Sequence, residues 1–210
     1  MKLRLAHLAY PVTALGPGRR LALWVAGCPL SCRGCITPHL WNPEAGREVA
    51  VDKVLKRISV LDLALDGITL SGGEPFVQAA ALTQLLEGLA TLRPNWNVLI
   101  FSGYPHATLT KRGRDAIALL ARTDVLVAGV FDQQRPAVHP LAGSANQTVH
   151  YLSARGQTLR SVIESTPLNQ FDIGLGSDDQ QFLIGVIDTT KRQSLHQALG
   201  NDHTAKEPLK

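Results

Sequence analysis

The sequence contains little cysteine. Its 210 residues include three cysteines, Cys28, Cys32 and Cys35, and all of them fall within one stretch of eight residues. An odd number of thiols in so short a segment excludes the disulfide framework of a small secreted domain. A chain of this length buries roughly 70% of its unfolded surface, so it does not need disulfides to fold. Three thiols this close together instead indicate a redox or metal site.

Aromatic residues and runs of like charge are also scarce. Aromatic side chains make up 5% of the chain, and its net charge of +4 is spread without a dense basic segment. Nucleic-acid binding combines a clustered basic surface with aromatic side chains that stack on bases. We therefore expect no nucleic-acid partner and interpret the pI near 9.1 as that of a mildly basic, solvated surface.

Long hydrophobic segments are absent as well. No stretch approaches the ~18 apolar residues of a membrane-spanning helix, and residues 1–7 alternate charged with apolar side chains instead of forming a signal-peptide core. This pattern predicts a protein without membrane contact in the cytoplasm, where a reducing environment keeps thiols available for metal. We expect one domain over residues 1–187, with core motifs in 18–150, and a polar C-terminal tail over 188–210.

Apolar runs typical of buried strands alternate with helical patterns. Strands are predicted at residues 21–26, 68–70, 98–101, 125–127, 159–163 and 182–187, and helices around 51–61, 75–89 and 116–120. Because parallel strands require crossover connections, this alternation predicts an α/β fold with a parallel sheet. Ligands in such folds bind at the carboxyl ends of the strands. We therefore expect the loops that begin at residues 27, 71 and 102 to converge on one rim.

The C-x3-C-x2-C spacing of the cysteines allows three interpretations. A structural zinc site needs four ligands, and His39 could supply the fourth in a Cys3His set. A ferredoxin-type cluster needs four cysteines, whereas this chain has three. A 4Fe-4S cluster held by three cysteines leaves one iron open to a small molecule. That last interpretation fits the count without help from another residue.

A second loop of interest follows the predicted strand 68–70 and reads Ser71-Gly72-Gly73-Glu74-Pro75. Two glycines let the backbone approach a ligand closely, and Glu74 offers a carboxylate. Such a segment alone is most often a turn and a helix start. Beside the cysteine loop, we interpret it as a clamp for the ligand of an open iron.

Together these motifs resemble the radical S-adenosylmethionine (radical SAM) superfamily. Residues 27–35 with Pro38 and Trp41, the later Ser102-Gly103-Tyr104, and Gly-Ser-Ala-Asn-Gln at 143–147 are similar to the small activating enzymes of anaerobic ribonucleotide reductase. The resemblance covers about residues 18–150 and keeps the order of the motifs. It implies a partial (β/α) barrel and an oxidoreductase of the activase type, which generates a glycyl radical on a large protein partner.

The resemblance also implies roles for individual residues. Cys28, Cys32 and Cys35 would bind a 4Fe-4S cluster, Gly72, Gly73 and Glu74 would hold the methionine amino group of S-adenosylmethionine, and Ser102 and Asn146 would make further contacts to that cofactor. An electron from flavodoxin or ferredoxin would allow reductive cleavage to methionine and a 5'-deoxyadenosyl radical, which abstracts hydrogen from the substrate. Since that radical attacks nearly any C–H bond, water exclusion and positioning matter most. We predict no catalytic histidine or carboxylate dyad.

Two positions depart from the family pattern. An Asp-Gly-x-Phe motif reads Ala128-Gly129-Val130-Phe131 here, and Thr148 stands where an arginine commonly follows the Asn-Gln pair. Neither change touches the cysteines or the Gly-Gly-Glu segment. Both keep open a radical SAM enzyme that modifies a peptide or a small metabolite. The alternative from another class is a zinc-binding interaction module built on the three cysteines and His39.

The remaining conspicuous residues have ordinary interpretations. We predict that Trp24 lies in the core and that His39 and Trp41 shape the cysteine loop. Two further groups are predicted as a solvated set of charges (Arg19, Arg20 and Arg33) and as surface or packing histidines without metal spacing (His7, His106, His139, His150, His196 and His203).

Overall fold

The computed structural model describes residues 1–61, 64–175 and 181–198. The strands are β1 (Lys2–Val12), β2 (Arg20–Val25), β3 (Arg47–Ala50), β4 (Gly67–Gly72), β5 (Asn97–Ser102), β6 (Val125–Ala128), β7 (Thr148–Tyr151), β8 (Phe171–Leu175) and β9 (Gln181–Gly185). The α-helices are α1 (Val51–Ser59), α2 (Ala79–Leu92), α3 (His106–Leu109), α4 (Arg114–Leu120), α5 (Ala154–Glu164) and α6 (Thr189–Ala198), and 3₁₀ turns cover Pro38–Leu40, Pro43–Ala45 and Pro75–Gln78. In these three stretches no helix is long and apolar enough to span a membrane.

Seven strands form one sheet in the order β3-β1-β2-β4-β5-β6-β7. The four central strands β2, β4, β5 and β6 are parallel to one another, which confirms the predicted α/β fold with a parallel sheet. Strands β1, β3 and β7 extend the sheet in antiparallel orientation, and the sequence patterns did not predict them. Strands β8 and β9 form a separate antiparallel hairpin.

The two faces of the sheet have different coverings. Helices α1, α2 and α4 pack on one face, which we call the helix face, against alternate strand residues such as Leu23, Leu70 and Ile100. Residues between these positions point to the opposite side, the second face. There Leu99 and Val127 pack in one cluster with side chains of α5. The core therefore lies on both sides of the parallel strands.

Helix α1 shows why the helix face forms where the periodicity predicted it. It buries Val51, Val54 and Ile58 at spacings of three and four residues. Asp52 lies in its first turn and Lys56 in its last, so both charges interact favourably with the helix dipole and stabilise the helix. The helix ends at Ser59, two residues before the predicted end.

Residues 159–163, predicted as a strand, belong to helix α5, so that prediction is wrong. Ser153 caps this helix by accepting a hydrogen bond from the Gly156 N–H at 2.9 Å. Leu159 and Ile163, four residues apart, both pack towards the sheet. Leu159 and Ile163 would lie on the same side of a helix and also on the same side of a strand, because a spacing of four residues fits both periods. The short apolar run therefore did not distinguish a helix from a strand.

The polar segment predicted as a tail after residue 187 begins with helix α6. The Asp188 carboxylate accepts a hydrogen bond from the Lys191 N–H at 2.8 Å at the start of this helix. Residues 199–210, which include His203, lie outside the described residues, as does the side chain of His196. The strand predicted at 182–187 is present as β9 over residues 181–185.

Arg20, predicted among the solvated charges, is fully buried, so that prediction is wrong for this residue. Its guanidinium donates to Thr69 Oγ1 at 2.5 Å, to Asn97 Oδ1 at 2.7 Å and to three backbone carbonyls. Burial lowers the pKa of Arg20 to about 10, although the negative charges of Asp66 and Asp124 oppose that effect. The network ties β2, β4 and β5 together at the end of the sheet opposite the cysteines.

Trp24, predicted in the core, is only partly buried. Its side chain lies on the second face, in a cluster with Val12, Leu15 and Ala22. The continuous apolar run of β2 suggested two equally buried faces, but the helix face is the more completely covered one at this strand.

Candidate iron-sulfur and cofactor site

The loops after β2 and β4 meet at the carboxyl end of the parallel strands. These two strands stay paired to their last residues, where Val25 lies opposite Gly72. Beyond that pair, the Gly73 N–H donates to the Val25 carbonyl at 2.7 Å and the Glu74 N–H donates to the Gly27 carbonyl at 2.9 Å. The predicted convergence of the cysteine loop with the Gly-Gly-Glu loop is confirmed.

The cysteine loop is closed at its base by two backbone hydrogen bonds. The Gly27 N–H donates to the Leu40 carbonyl at 2.8 Å, and the Cys28 N–H donates to the Trp41 carbonyl at 3.0 Å. Leu40 is buried and anchors the returning end of the loop. Trp41 therefore shapes the loop through its backbone, in line with its predicted role.

All three cysteine thiols are free and partly exposed on this loop. Burial is the largest cause that raises the pKa of Cys28 and of Cys32; backbone hydrogen bonds partly offset it, and the negative charge of Glu74 adds to it. Both effects favour the protonated form of the Cys28 and Cys32 thiols. A bound metal would reverse this preference, because it stabilises thiolates and releases their protons.

The Gly-Gly-Glu loop lies so close to the cysteine loop that a side chain at Gly73 has no room. A Cβ atom there would lie 2.4 Å from the carbonyl oxygen of Gly27. Thr37 links the same two loops, since its hydroxyl donates to the Gly72 carbonyl at 3.3 Å and lies 3.8 Å from Cys35 Sγ. Thr37 could not be identified from the sequence, because a lone threonine in a loop carries no spacing signal.

Glu74 connects this loop to the one that follows β5. The side chain is 1% exposed. Its Oε1 accepts hydrogen bonds from the Phe76 N–H at 3.0 Å and the Ser102 hydroxyl at 2.9 Å, and its Oε2 accepts one from the Gly103 N–H at 2.8 Å. Burial raises the pKa of Glu74, while these hydrogen bonds act to lower it. The structure thus brings Glu74 and Ser102, both predicted site residues, into direct contact.

Asn146 lies on a fourth loop of the same rim, the connection between β6 and β7 at residues 129–147. The backbone of Phe131 in this connection lies near the Cys32 thiol and acts to lower its pKa. Asn146 donates to the Val130 carbonyl at 2.7 Å, and its Oδ1 is buried without a hydrogen-bond partner in the described part of the chain. Asn146 does not join the Glu74 network, but its side-chain oxygen can accept a donor from a ligand.

A cavity of about 480 Å³ opens between this connection and the cysteine loop. Arg33, Asp132, Arg135 and Asn146 contribute its polar lining. This volume is within the range of small-molecule sites. The cavity places Asn146 and Arg33, which follows directly after Cys32, around one space.

Gln147 fixes the shape of the same connection. Its Oε1 accepts hydrogen bonds from the N–H groups of Gly143 and Ser144 at 2.8 and 3.2 Å, and its Nε2 donates to the Gly129 carbonyl at 2.9 Å. In the sequence, Gln147 was recognisable only as part of a motif. Its contacts explain why an amide belongs there, since a donor and an acceptor are both used.

The two departures from the family pattern lie opposite each other. Ala128 pairs with Thr148 in the antiparallel register of β6 and β7. An acidic residue at the first position and an arginine at the second would be cross-strand neighbours, and such pairs stabilise sheets. Because these two charges would pair with each other, a chain that lacks the acidic residue at 128 is expected to lack the arginine at 148 as well. In this chain the Thr148 hydroxyl instead contacts His150 Nε2 at 2.8 Å.

His39, the fourth ligand of the zinc alternative, is exposed and its ring packs against His7 with centroids 6.1 Å apart. Within residues 1–61, 64–175 and 181–198, no three histidine, cysteine, aspartate or glutamate side chains are grouped to hold a metal ion. The three cysteines thus share one loop without forming a closed ligand set. This finding applies to the three cysteines alone as well as to the three cysteines with His39, so it does not distinguish the cluster from the Cys3His alternative.

Comparison with known proteins identifies the family. A family model described as "4Fe-4S single cluster domain" matches residues 14–150, which include all three cysteines. The chain belongs to this family. Within the 4Fe-4S single cluster domain family, it is an enzyme of the activating-enzyme-like radical SAM group, as its curated relatives show.

Three of these relatives are named anaerobic ribonucleoside-triphosphate reductase-activating protein. The protein from Vibrio cholerae is 34% identical over 152 residues, which cover 69% of this chain and 96% of the relative. The Haemophilus influenzae protein is 32% identical over 150 residues, 67% of this chain and 94% of the relative. The Escherichia coli protein is 29% identical over 154 residues, 70% and 97% respectively. Nearly the whole of each relative is therefore matched, while about 30% of this chain has no counterpart in them.

Proposed function

We propose that this chain is a radical SAM activase that binds a 4Fe-4S cluster through Cys28, Cys32 and Cys35, cleaves S-adenosylmethionine reductively and generates a radical on a protein partner. The observation that carries the proposal is the C-x3-C-x2-C loop inside the region matched by the cluster family. Its relatives bear the name of an activating protein for anaerobic ribonucleoside-triphosphate reductase. A glycyl-radical reductase of that kind is therefore the proposed partner.

The donor set suits a cluster with one iron that the protein does not ligate. The sequence holds three thiols, all on the same partly exposed loop. Four-iron clusters take four ligands, so one position remains for another molecule. Metal binding and local folding are coupled, and we expect the loop to draw its thiols together as the cluster assembles.

Glu74 and Asn146 can each accept a hydrogen bond from S-adenosylmethionine, whose amino group and other N–H and O–H groups are donors. Glu74 Oε2 accepts one hydrogen bond, from the Gly103 N–H, and a carboxylate oxygen can accept a second. The buried Oδ1 of Asn146 accepts none from the described residues. Ser102 orients Glu74 and thereby acts on the cofactor indirectly.

The proposed reaction depends on the cluster and on S-adenosylmethionine for its chemistry and on the protein for binding and positioning them. Cys28, Cys32 and Cys35 would hold the 4Fe-4S cluster, which would supply the electron for reductive cleavage of S-adenosylmethionine. The chain's own task is to exclude water and hold the cofactor in place, and the four loops of the rim surround that space. We propose a partial (β/α) barrel as the enclosing shape, flavodoxin or ferredoxin as electron donor and the cytoplasm as the compartment.

Anaerobic reconstitution with iron and sulfide, followed by reduction and addition of S-adenosylmethionine, tests the proposal. We expect 5'-deoxyadenosine and methionine from the wild type and none from Cys32→Ala. His39→Ala is the matched control and should keep its iron and its activity. A colourless protein that holds one zinc, loses it on His39→Ala and forms no 5'-deoxyadenosine would establish the zinc module instead.

The partner is tested with the same reconstituted protein. A glycyl radical detected by electron paramagnetic resonance on an added anaerobic reductase supports the activase. If 5'-deoxyadenosine forms but no glycyl radical appears on any such reductase, modification of a peptide or a small metabolite becomes the better assignment.

A further inference from the structure

The residues after 150 form a structure that the family match does not include. The match ends at residue 150, while α5, the β8–β9 hairpin and α6 all follow it. Helix α5 and the hairpin both pack on the second face of the sheet. This part of the chain therefore covers the second face of the sheet, on the side opposite α1, α2 and α4.

The carboxylate of Asp172 joins the hairpin to the main sheet by hydrogen bonds. Asp172 Oδ2 accepts hydrogen bonds from the N–H groups of Thr13 and Ala14, both at 2.8 Å, and Asp172 Oδ1 accepts one from the Thr13 hydroxyl at 2.6 Å. Thr13 and Ala14 directly follow β1. One residue of β8 thus holds the hairpin to the main sheet through three charge-assisted hydrogen bonds.

Apolar side chains of β9 and the segment after it complete the contact. Ile184 and Val186 pack in the cluster that contains Trp24 and Phe101 of the second face, and both are only partly buried. Ile184 lies opposite Asp172 in the hairpin, so the two side chains point to the same side.

The hairpin also reaches the cysteine segment. The ring of Phe182 lies 6.1 Å from that of His7, and His7 in turn lies 6.1 Å from His39, four residues after Cys35. Phe182 and Ile184 are alternate residues of one strand and share its inward side. An extended segment with apolar side chains at alternate positions therefore lies along the second face up to the edge of the candidate site.

We propose that the β8–β9 hairpin is an internal occupant of the surface on which the protein partner docks, and that the partner displaces it. The proposal rests on the proposed function, since it assumes a polypeptide partner. The surface fits an extended segment with apolar side chains at every second position, because the hairpin presents that pattern to it. A two-stranded hairpin is marginally stable alone. In the part of the chain that the structure describes, the hydrogen bonds of the Asp172 carboxylate, which we call the latch, join this hairpin to the main sheet, so the hairpin can separate from the sheet when they break.

Hydrogen exchange of the full-length protein tests the latch without any cofactor or partner. Asp172→Ala should accelerate amide exchange in residues 171–175 and 181–185 by about tenfold or more, since it removes three hydrogen bonds to a charged group. Ile173→Ala is the matched control, because Ile173 is the next residue of β8, points to the other side and is 49% exposed. It should leave exchange nearly unchanged. Ile184→Asp, which places a charge against the apolar surface, is a second variant with the same expected result.

Partner binding tests the competition. With the reconstituted enzyme and an anaerobic glycyl-radical reductase, the partner concentration at half-maximal radical formation should fall about threefold or more in Asp172→Ala, because the competing hairpin is released. Cleavage of S-adenosylmethionine without partner should equal that of the wild type. Failure of all variants and the wild type to cleave S-adenosylmethionine would refute the proposed function, whereas the exchange result is independent of it.

Two outcomes would overturn the inference about the hairpin. Exchange that is unchanged in both Asp172→Ala and Ile184→Asp would show that the latch does not hold the hairpin. Faster exchange with an unchanged or higher half-maximal partner concentration would show that the hairpin does not compete with the partner.

Discussion

The Ser102 hydroxyl donates to Glu74 Oε1 at 2.9 Å, although the two residues belong to loops after different strands. Glu74 is 1% and Ser102 5% exposed. A carboxylate so deeply buried is expensive unless its oxygens are hydrogen-bonded. Each hydrogen-bond donor to Glu74 therefore stabilises the fold of the rim and also fixes the position of a residue predicted to bind the cofactor.

Ser102→Ala should lower the free energy of unfolding by about 1.5–3 kcal/mol, the usual contribution of a hydrogen bond to a charged group. The variant leaves Glu74 Oε1 with the Phe76 N–H alone. Urea unfolding of the apoprotein measures the effect. The affinity for S-adenosylmethionine of the reconstituted enzyme should fall as well, because Glu74 loses a contact that orients it.

Ser59→Ala is the control for Ser102→Ala. Ser59 is exposed on α1, and its hydroxyl donates to the carbonyl of Lys56 at 2.9 Å. Both variants remove one hydroxyl, but only one of them leaves a buried charge with fewer partners. Equal unfolding free energies for the two variants would contradict the role assigned to Ser102.

Glu74 should also make stability depend on pH. Its pKa in the folded protein is raised above the ordinary value of 4.5, with burial as the main cause. The folded chain therefore keeps a proton that the unfolded chain has already released. By linkage, the resulting stabilisation is complete below pH 4.5 and is lost as pH rises through the folded-state pKa. Glu74→Gln cannot titrate, so its unfolding free energy should fall less over that interval than that of the wild type.

Glu48→Gln provides a control of opposite sign. The hydrogen bond from Lys2 and its charge lower the pKa of the exposed Glu48, so this carboxylate contributes stability above pH 4.5 that is lost as pH falls. Its removal should reduce the loss of stability as pH falls below 4.5 and leave the decline above pH 4.5 as in the wild type. A pH profile of Glu74→Gln that is parallel to the wild type in urea unfolding would refute the assignment.

The parallel core and the convergence of its loops were predictable, because they follow from local signals. Buried strands read as continuous apolar runs, and glycine-bearing loops follow each of them. Once a parallel sheet is inferred, its topology brings the loops that begin at residues 27, 71 and 102 together. The cysteines and the Gly-Gly-Glu segment could thus be placed side by side from sequence.

The contacts that depend on distant partners could not be predicted. Arg20 is an arginine at the start of a strand, and only the fold reveals that Thr69 and Asn97 close around it. The edge strands β3 and β7 are four residues long and unevenly buried, so they lack a strong period. The alternation of charged and apolar residues in 1–7 is the period of β1, but it was interpreted only as evidence against a signal peptide. The hydrogen bonds of Asp172 join residues that are 158 and 159 positions apart, and no local pattern encodes such a contact.

Gly73 and Gly103 make a matched pair of glycine substitutions. In Gly73→Ala the new Cβ would lie 2.4 Å from the backbone oxygen of Gly27, whereas in Gly103→Ala it would lie 2.3 Å from Leu30 Cδ1. A side chain that is partly exposed can rotate away, but backbone of the cysteine loop cannot move without displacing Cys28. Gly73→Ala should therefore lose most of its iron and sulfide after reconstitution, while Gly103→Ala should keep most of both.

Iron and acid-labile sulfide per chain measure this difference. The double variant Gly103→Ala with Leu30→Ala should behave like the wild type, because the obstructing methyl group is gone. If Gly73→Ala binds as much iron as the wild type, the close contact between the two loops is not required for the cluster.

Arg20→Met should lower the free energy of unfolding by about 3 kcal/mol, because it strands two buried acceptors, Thr69 Oγ1 and Asn97 Oδ1, at an expected cost of about 1–3 kcal/mol each. Methionine fills much of the same volume, so the loss reports on the hydrogen bonds more than on packing. Arg19→Met, at the neighbouring exposed position, is the control and should change stability by less than about 0.5 kcal/mol. Urea unfolding of the apoprotein compares the two. Since Arg20 lies at the end of the sheet opposite the cysteines, the iron content of Arg20→Met should match that of the wild type at a temperature where the variant is folded. If Arg20→Met is as stable as Arg19→Met, the hydrogen-bond network of Arg20 contributes little to stability.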